Sequence, residues 1–173
     1  HSEYMQACSS ASSVVNHALN LDIALPTVIE KTDLDKYEVS ATNLSGEPQN
    51  EDVTVLVWTL KQNERILRNR IWQMPDQFIL SEAEFKKKFH NEPYADEYDV
   101  NTWEKDRNML DTKLKTGTER EVSFAPLATL KQGYYLVELI SKDAFGTEVI
   151  QKAYFNLYDK KATTPPVAAP SWF

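Results

Sequence analysis

Apolar residues recur at every second position in several separate stretches of this chain. The first is Leu21, Ile23 and Leu25, with Asp22 and Ala24 between them and Pro26 closing the run, which predicts a short strand. After an acidic turn, Tyr37, Val39 and Ala41 alternate with Glu38, Ser40 and Thr42, the pattern of a half-buried antiparallel strand. Asn43-Leu44-Ser45-Gly46 then reverses the chain, Gly46 supplying a positive φ. Asp52 to Lys61 is apolar on both faces, Val53, Val55 and Val57 against Leu56, Trp58 and Leu60, so this strand is expected to be central and covered on both sides. The period then becomes helical. Ser81 and Glu84 spell a capping box, Leu80 can staple against Phe85, and Phe85 and Phe89 share one face of a helix starting at Glu82. Lys86, Lys87 and Lys88 fall late in that helix, where cations complement its dipole, and read as a solvated face. This middle segment is the expected cover for the second face of the central strand.

Beyond an irregular acidic stretch, Asn91 to Asn101, the strand period returns. Val122 and Phe124 alternate with polar neighbours, Tyr134 to Lys142 is a long β-rich run, and Asp143-Ala144-Phe145-Gly146 turns it into Glu148 to Tyr158. Six or seven strands, one short helix and no βαβ alternation predict an all-β fold. The expectation is an antiparallel β-sandwich of the immunoglobulin or fibronectin-III type, with about seven strands and a short helix-containing insertion. The divisions expected are a lead-in at 1–18, the sandwich at 19–160 with its insertion at about 73–115, and a Pro/Ala linker at 161–173 holding Pro165, Pro166 and Pro170. The two termini read as those of a piece of a longer polypeptide.

Charge and composition narrow the function. The chain has 173 residues, 19 Lys and Arg against 26 Asp and Glu, and a net charge of −7, which disfavours nucleic acid or an anionic lipid surface as partner. No apolar stretch is long enough to span a bilayer. Four widely spaced glycines write neither a dinucleotide fingerprint nor a P-loop. Cys8, the one cysteine, allows no internal disulfide or Cys-based zinc site, and His1, His17 and His90 are scattered. Serine-nucleophile motifs are missing, and neither His17 nor His90 has a triad context. Glu92, Asp96, Glu97 and Asp99 crowd together and Asp33 and Asp35 lie two apart, but Tyr37 stands where a calcium loop wants an oxygen ligand. Trp58, Trp72, Trp103 and Trp172 are the residues from which a sugar-stacking platform would have to be built. The sequon Asn43-Leu44-Ser45 is a chance tripeptide in a turn. No catalytic, cofactor-binding or metal-binding residue is assigned.

One resemblance goes further. From Val53 to Leu60 the chain continues through Arg70-Ile71-Trp72-Gln73-Met74-Pro75-Asp76, Ser81-x-x-Glu84-Phe85-x-x-x-Phe89, Pro93-Tyr94-x-x-Glu97, Trp103, Leu110-Asp111-Thr112, Leu130-x-x-Gly133-Tyr134-Tyr135 and Lys142-Asp143-x-Phe145-Gly146. In that order these motifs resemble the macroglobulin domains of bacterial alpha-2-macroglobulin family proteins, particularly those of the Bacteroidetes, over most of residues 15 to 158. The resemblance implies a seven-stranded sandwich arrayed with others in a large periplasmic or envelope-associated proteinase trap. It also implies neighbouring domains of the same polypeptide as partners, and proteinases as partners of the full-length protein. Family members often carry a reactive thioester in a Cys-x-x-Gln type motif, and Cys8 is followed by Ser9, Ser10 and Ala11. The expected role is therefore non-catalytic, a structural and interaction module with Phe78, Ile79 and Leu80 as interdomain contacts. The alternative reading is a carbohydrate- or ligand-binding sandwich of an envelope protein.

Overall fold

The computed structural model describes residues 19–61, 67, 73 and 77–162. The lead-in with Cys8 and His17, the Arg70-Ile71-Trp72 motif and the Pro-rich stretch with Trp172 lie outside them. Among the described residues eight strands form two sheets: β1 (Leu19–Ile23), β2 (Val28–Glu30), β3 (Lys36–Asn43), β4 (Asp52–Leu60), β5 (Lys105–Lys115), β6 (Glu121–Ser123), β7 (Gly133–Lys142) and β8 (Glu148–Tyr158). The orders are β1-β3-β6 and β2-β8-β7-β4-β5. This is an all-β sandwich, and α1 (Glu82–Lys88) is its one α-helix among the described residues.

The alternation places the core. Leu19, Leu21 and Ile23 of β1, Val39 and Ala41 of β3 and Val122 of β6 face Val53, Val55 and Val57 of β4, Val137 and Leu139 of β7 and Phe155 and Leu157 of β8, all buried in one cluster. Phe124, wholly buried just past β6, fills the end away from the hairpin loops, 5.0 Å from the Tyr37 ring and 5.7 Å from Phe155. Tyr135 stacks on Phe155 at 5.4 Å.

Two strands depart from the sequence reading. β2 pairs parallel with β8, Ile29 opposite Leu157, whereas an antiparallel sandwich was expected. β1 ends at Ile23, and Pro26, which has no amide hydrogen to continue the pairing, precedes the crossing to the large sheet, where the Thr27 carbonyl accepts a hydrogen bond from the Asn156 amide at 2.8 Å. β5 occupies residues 105–115, which had been assigned to the insertion, and pairs antiparallel with β4 from Asp52↔Lys115 to Leu60↔Lys105. Its run Lys105-Asp106-Arg107-Asn108 is polar because β5 is an edge strand; only Leu114 is fully buried. The insertion between β4 and β5 therefore ends at Glu104.

Both faces of β4 are in use, but α1 itself does not provide the cover, since none of its residues is buried. The return segment after the helix reaches the same outer face of the large sheet, where Trp103 stands edge-on to Tyr134 of β7 at 5.6 Å. On that face Leu60, Leu136 and Glu138 are buried.

Candidate interaction surfaces

Two surfaces present large apolar side chains on backbone held in place by specific hydrogen bonds. The first is the described part of the insertion. Ser81 caps α1: its hydroxyl oxygen accepts from the Glu84 amide at 3.4 Å, and the Glu84 carboxylate accepts from the Ser81 amide at 3.2 Å and from its hydroxyl at 2.7 Å. Those bonds hold the Glu84 carboxyl below its usual range. Lys86 pairs with Glu82 one turn back and reaches Glu97 at 3.0 Å, fastening the helix to the return segment. The Glu82 bond, more than Glu97, raises the Lys86 pKa. The return segment is fixed in turn by the Trp103 indole donating to the Glu97 carbonyl at 3.0 Å.

Between helix and return lie rings packed at tilted angles. Tyr94 packs 4.6 Å from Phe78 and 5.4 Å from Phe85, which is 5.0 Å from Phe89. The Tyr94 hydroxyl donates to the Leu80 carbonyl at 3.4 Å. Above this support Phe78 and Phe89 are half exposed and Ile79 is 97 % exposed, so the Phe78-Ile79-Leu80 run holds an aliphatic side chain almost wholly in water.

The second surface is one end of the sandwich, and sequence reasoning passed over it. Asn43 Oδ1 accepts from the Ser45 and Glu47 amides, both at 2.9 Å, and the Gly46 amide closes the turn on the Asn43 carbonyl at 3.0 Å. Asp143 Oδ1 does the same with the Phe145 and Thr147 amides at 2.9 and 2.8 Å, with Gly146 closing on the Asp143 carbonyl at 2.9 Å. Gly46 and Gly146 share a φ of +81°, which an L side chain would strain. These are one hairpin loop built twice, and the shared Asn/Asp-x-x-Gly spacing was its available signal. Leu44 is 59 % and Phe145 84 % exposed at their tips. Strand register puts both at the same end: Leu19 opposes Asn43, Lys142 opposes Glu148, and the Ser141 hydroxyl donates to the Asp52 carbonyl at 2.9 Å.

The other residues singled out from the sequence do not converge. His90 is exposed beyond α1, far along the chain from His17, which lies outside the described residues. Glu97 is held by Lys86 and by the Tyr94 amide at 3.1 Å, and Asp99 caps a 3₁₀ turn at Asn101. Asp33 accepts from Thr32. Among the described residues, no three His, Cys, Asp or Glu side chains gather as a metal site would require. Of the four tryptophans, Trp103 packs on Tyr134 and Trp58 lies 5.2 Å beneath the Lys105 ammonium, while Trp72 and Trp172 fall outside the described residues. No helix among the described residues is long and apolar enough to cross a membrane. No protein-family model matches this sequence, and no curated protein matches it either.

Proposed function

We propose that this chain is a non-catalytic structural and interaction module of a large extracytoplasmic alpha-2-macroglobulin-like proteinase trap, in the periplasm or on the cell envelope. The observation that carries the reading is directional. β1 begins at the end of the sandwich bearing the two hairpin tips, and β8 finishes at the opposite end, where Leu157 pairs with Gly133 and Ile29. The first and last strands of the described fold thus have their free ends at opposite ends of the sandwich, an arrangement suited to domains joined end to end. The motif order running from β4 through the insertion to the β7–β8 hairpin, which resembles that of macroglobulin domains, supports the family part of the reading. Phe78 and Ile79 provide the lateral contact, on an insertion braced against the large sheet by Trp103.

The reading predicts a gene product many domains long, with a thioester-type Cys-x-x-Gln motif or a bait segment outside these residues. The full-length product should slow proteinase digestion of a protein substrate, and the 173-residue chain alone should not. An open reading frame confined to these residues would overturn it. Saturable binding of an oligosaccharide by the chain alone, followed by tryptophan fluorescence, would favour the ligand-binding alternative.

A further inference from the structure

We propose that β5 is a self-pairing edge, through which two copies of this chain join their large sheets antiparallel about a two-fold axis at Thr112. The backbone of β5 is committed on one side. The Thr116 amide donates to the Glu51 carbonyl at 3.1 Å, and from there the ladder with β4 runs without a break from Asp52↔Lys115 to Val57↔Leu110. In an antiparallel ladder alternate residues turn their backbone groups to the same neighbour. Leu110, Thr112 and Leu114 therefore bond to β4, while Asp111 and Lys113 direct their N–H and C=O groups away from it. Among the described residues β5 ends the β2-β8-β7-β4-β5 sheet, and no strand pairs with its outer side. Asp111 and Lys113 are both exposed. The open stretch has defined limits. Trp58 pairs with Asn108, leaving Met109 as a bulge, and beyond Lys115 the chain turns, with the Lys115 carbonyl accepting from the Thr118 and Glu119 amides.

Side-chain order within those limits names the occupant. Leu110-Asp111-Thr112-Lys113-Leu114 is complementary to its own reverse. An antiparallel copy centred on Thr112 sets Asp111 opposite Lys113 on both sides of the axis and leucine opposite leucine beyond. The two Asp111–Lys113 pairs are then the ones that exchange backbone hydrogen bonds, and the two Thr112 residues meet on the axis. Other registers fail on charge. Centring on Asp111 or on Lys113 puts that residue against itself, and centring on Leu110 puts Lys113 against Arg107. The net charge of −7 opposes association of two copies, but β5 itself carries Lys105, Arg107, Lys113 and Lys115 against Asp106 and Asp111, so the acidic excess lies elsewhere. A contact of this kind uses the same patch on both copies and closes at two. The proposal stands apart from the proteinase-trap reading, since both halves of the interface are β5.

Sedimentation velocity of the whole chain over a concentration series is expected to show a monomer–dimer equilibrium with no larger species. Asp111→Lys or Lys113→Asp alone sets like charges opposite each other in both pairs and should weaken the dimer about tenfold or more. Mixing those two variants puts opposite charges back in both pairs. A heterodimer about as tight as the wild-type dimer should then form, which a mere loss of folding could not produce. A chain that stays monomeric up to about 1 mM overturns the proposal. So does a dimer that neither reversal weakens, a mixture no more associated than its two components, or open-ended growth to larger species.

Discussion

The two faces of the large sheet are built from the same strands yet solve different problems. Inward, Val53, Val55, Val57, Val137 and Leu139 meet the small sheet in a wholly apolar layer. Outward, Leu56, Trp58, Leu136, Glu138 and Tyr134 form a mixed layer, onto which the insertion packs Trp103 at Tyr134. Glu138, 3 % exposed, is neutralised by the Lys105 ammonium at 2.6 Å, which also sits over Trp58. The Trp58 indole N–H is buried without a partner among the described residues. Adjacent tyrosines divide the same way. Tyr135 lies inside, and burial pushes its phenol up to about 12. Tyr134 lies outside, where burial raises it less freely because a hydrogen bond with Asn156 opposes the shift. Sheet packed on sheet excludes polar groups, whereas sheet packed on a loop must accommodate the loop's own backbone and charges.

The contrast can be broken most forcefully from inside. Phe124→Ala should cost about 3–5 kcal/mol, read as a lowered midpoint in urea, because it opens a cavity between Tyr37 and Phe155. Alkali should act on the same layer through Tyr135. Its folded pKa is raised above the unfolded value of 10.0, so the folded state keeps a proton that the unfolded chain releases. The stability tied to that proton is intact below about pH 10 and falls by about 2–3 kcal/mol as the pH rises to about 12. Tyr135→Phe should flatten that part of the profile, and an unchanged slope would place the loss elsewhere.

On the outer face, Glu138→Ala should cost about 1–2 kcal/mol, the low end for a broken ion pair because Lys105 is partly exposed. Glu138→Leu should restore most of it or exceed wild type, since an apolar residue fits between Leu56 and Leu136. A leucine variant as weak as the alanine one would mean that the charge is needed there. Smaller still is Ser81→Ala, about 1 kcal/mol and local to α1: exchange at residues 82–89 should rise with the global midpoint unmoved. Lys61→Ala, which breaks a pair with Glu104 in open solvent, should leave the midpoint where it was.

Legibility follows the range of the forces involved. The capping box is written within four residues, Ser81 to Glu84, and its hydrogen bonds are the ones that spacing predicts. The apolar triplet Phe78-Ile79-Leu80 was legible as a contact candidate, but its exposure depends on Tyr94 supporting it from across the insertion. In the sequence Phe145 stands as a turn residue and as part of the Lys142-Asp143-x-Phe145-Gly146 motif. Nothing local to it says that it shares an end of the molecule with Leu44, a hundred residues away. β5 escaped because an edge strand needs apolar residues on little more than its inward positions, Leu110 and Leu114, and otherwise looks like a charged loop.

By itself the sequence determined the strands β1, β3, β4, β6, β7 and β8, where the helix starts and where two tight turns reverse the chain. Those follow from side-chain period and from hydrogen bonds within a few residues. Only the tertiary structure decided that the chain leaves the small sheet after β1 and joins the large one as β2, that β2 runs parallel to β8, and that the return segment reaches the outer face of the large sheet through Trp103. These depend on pairings between residues distant in sequence, whose register is set by the packing of both faces at once.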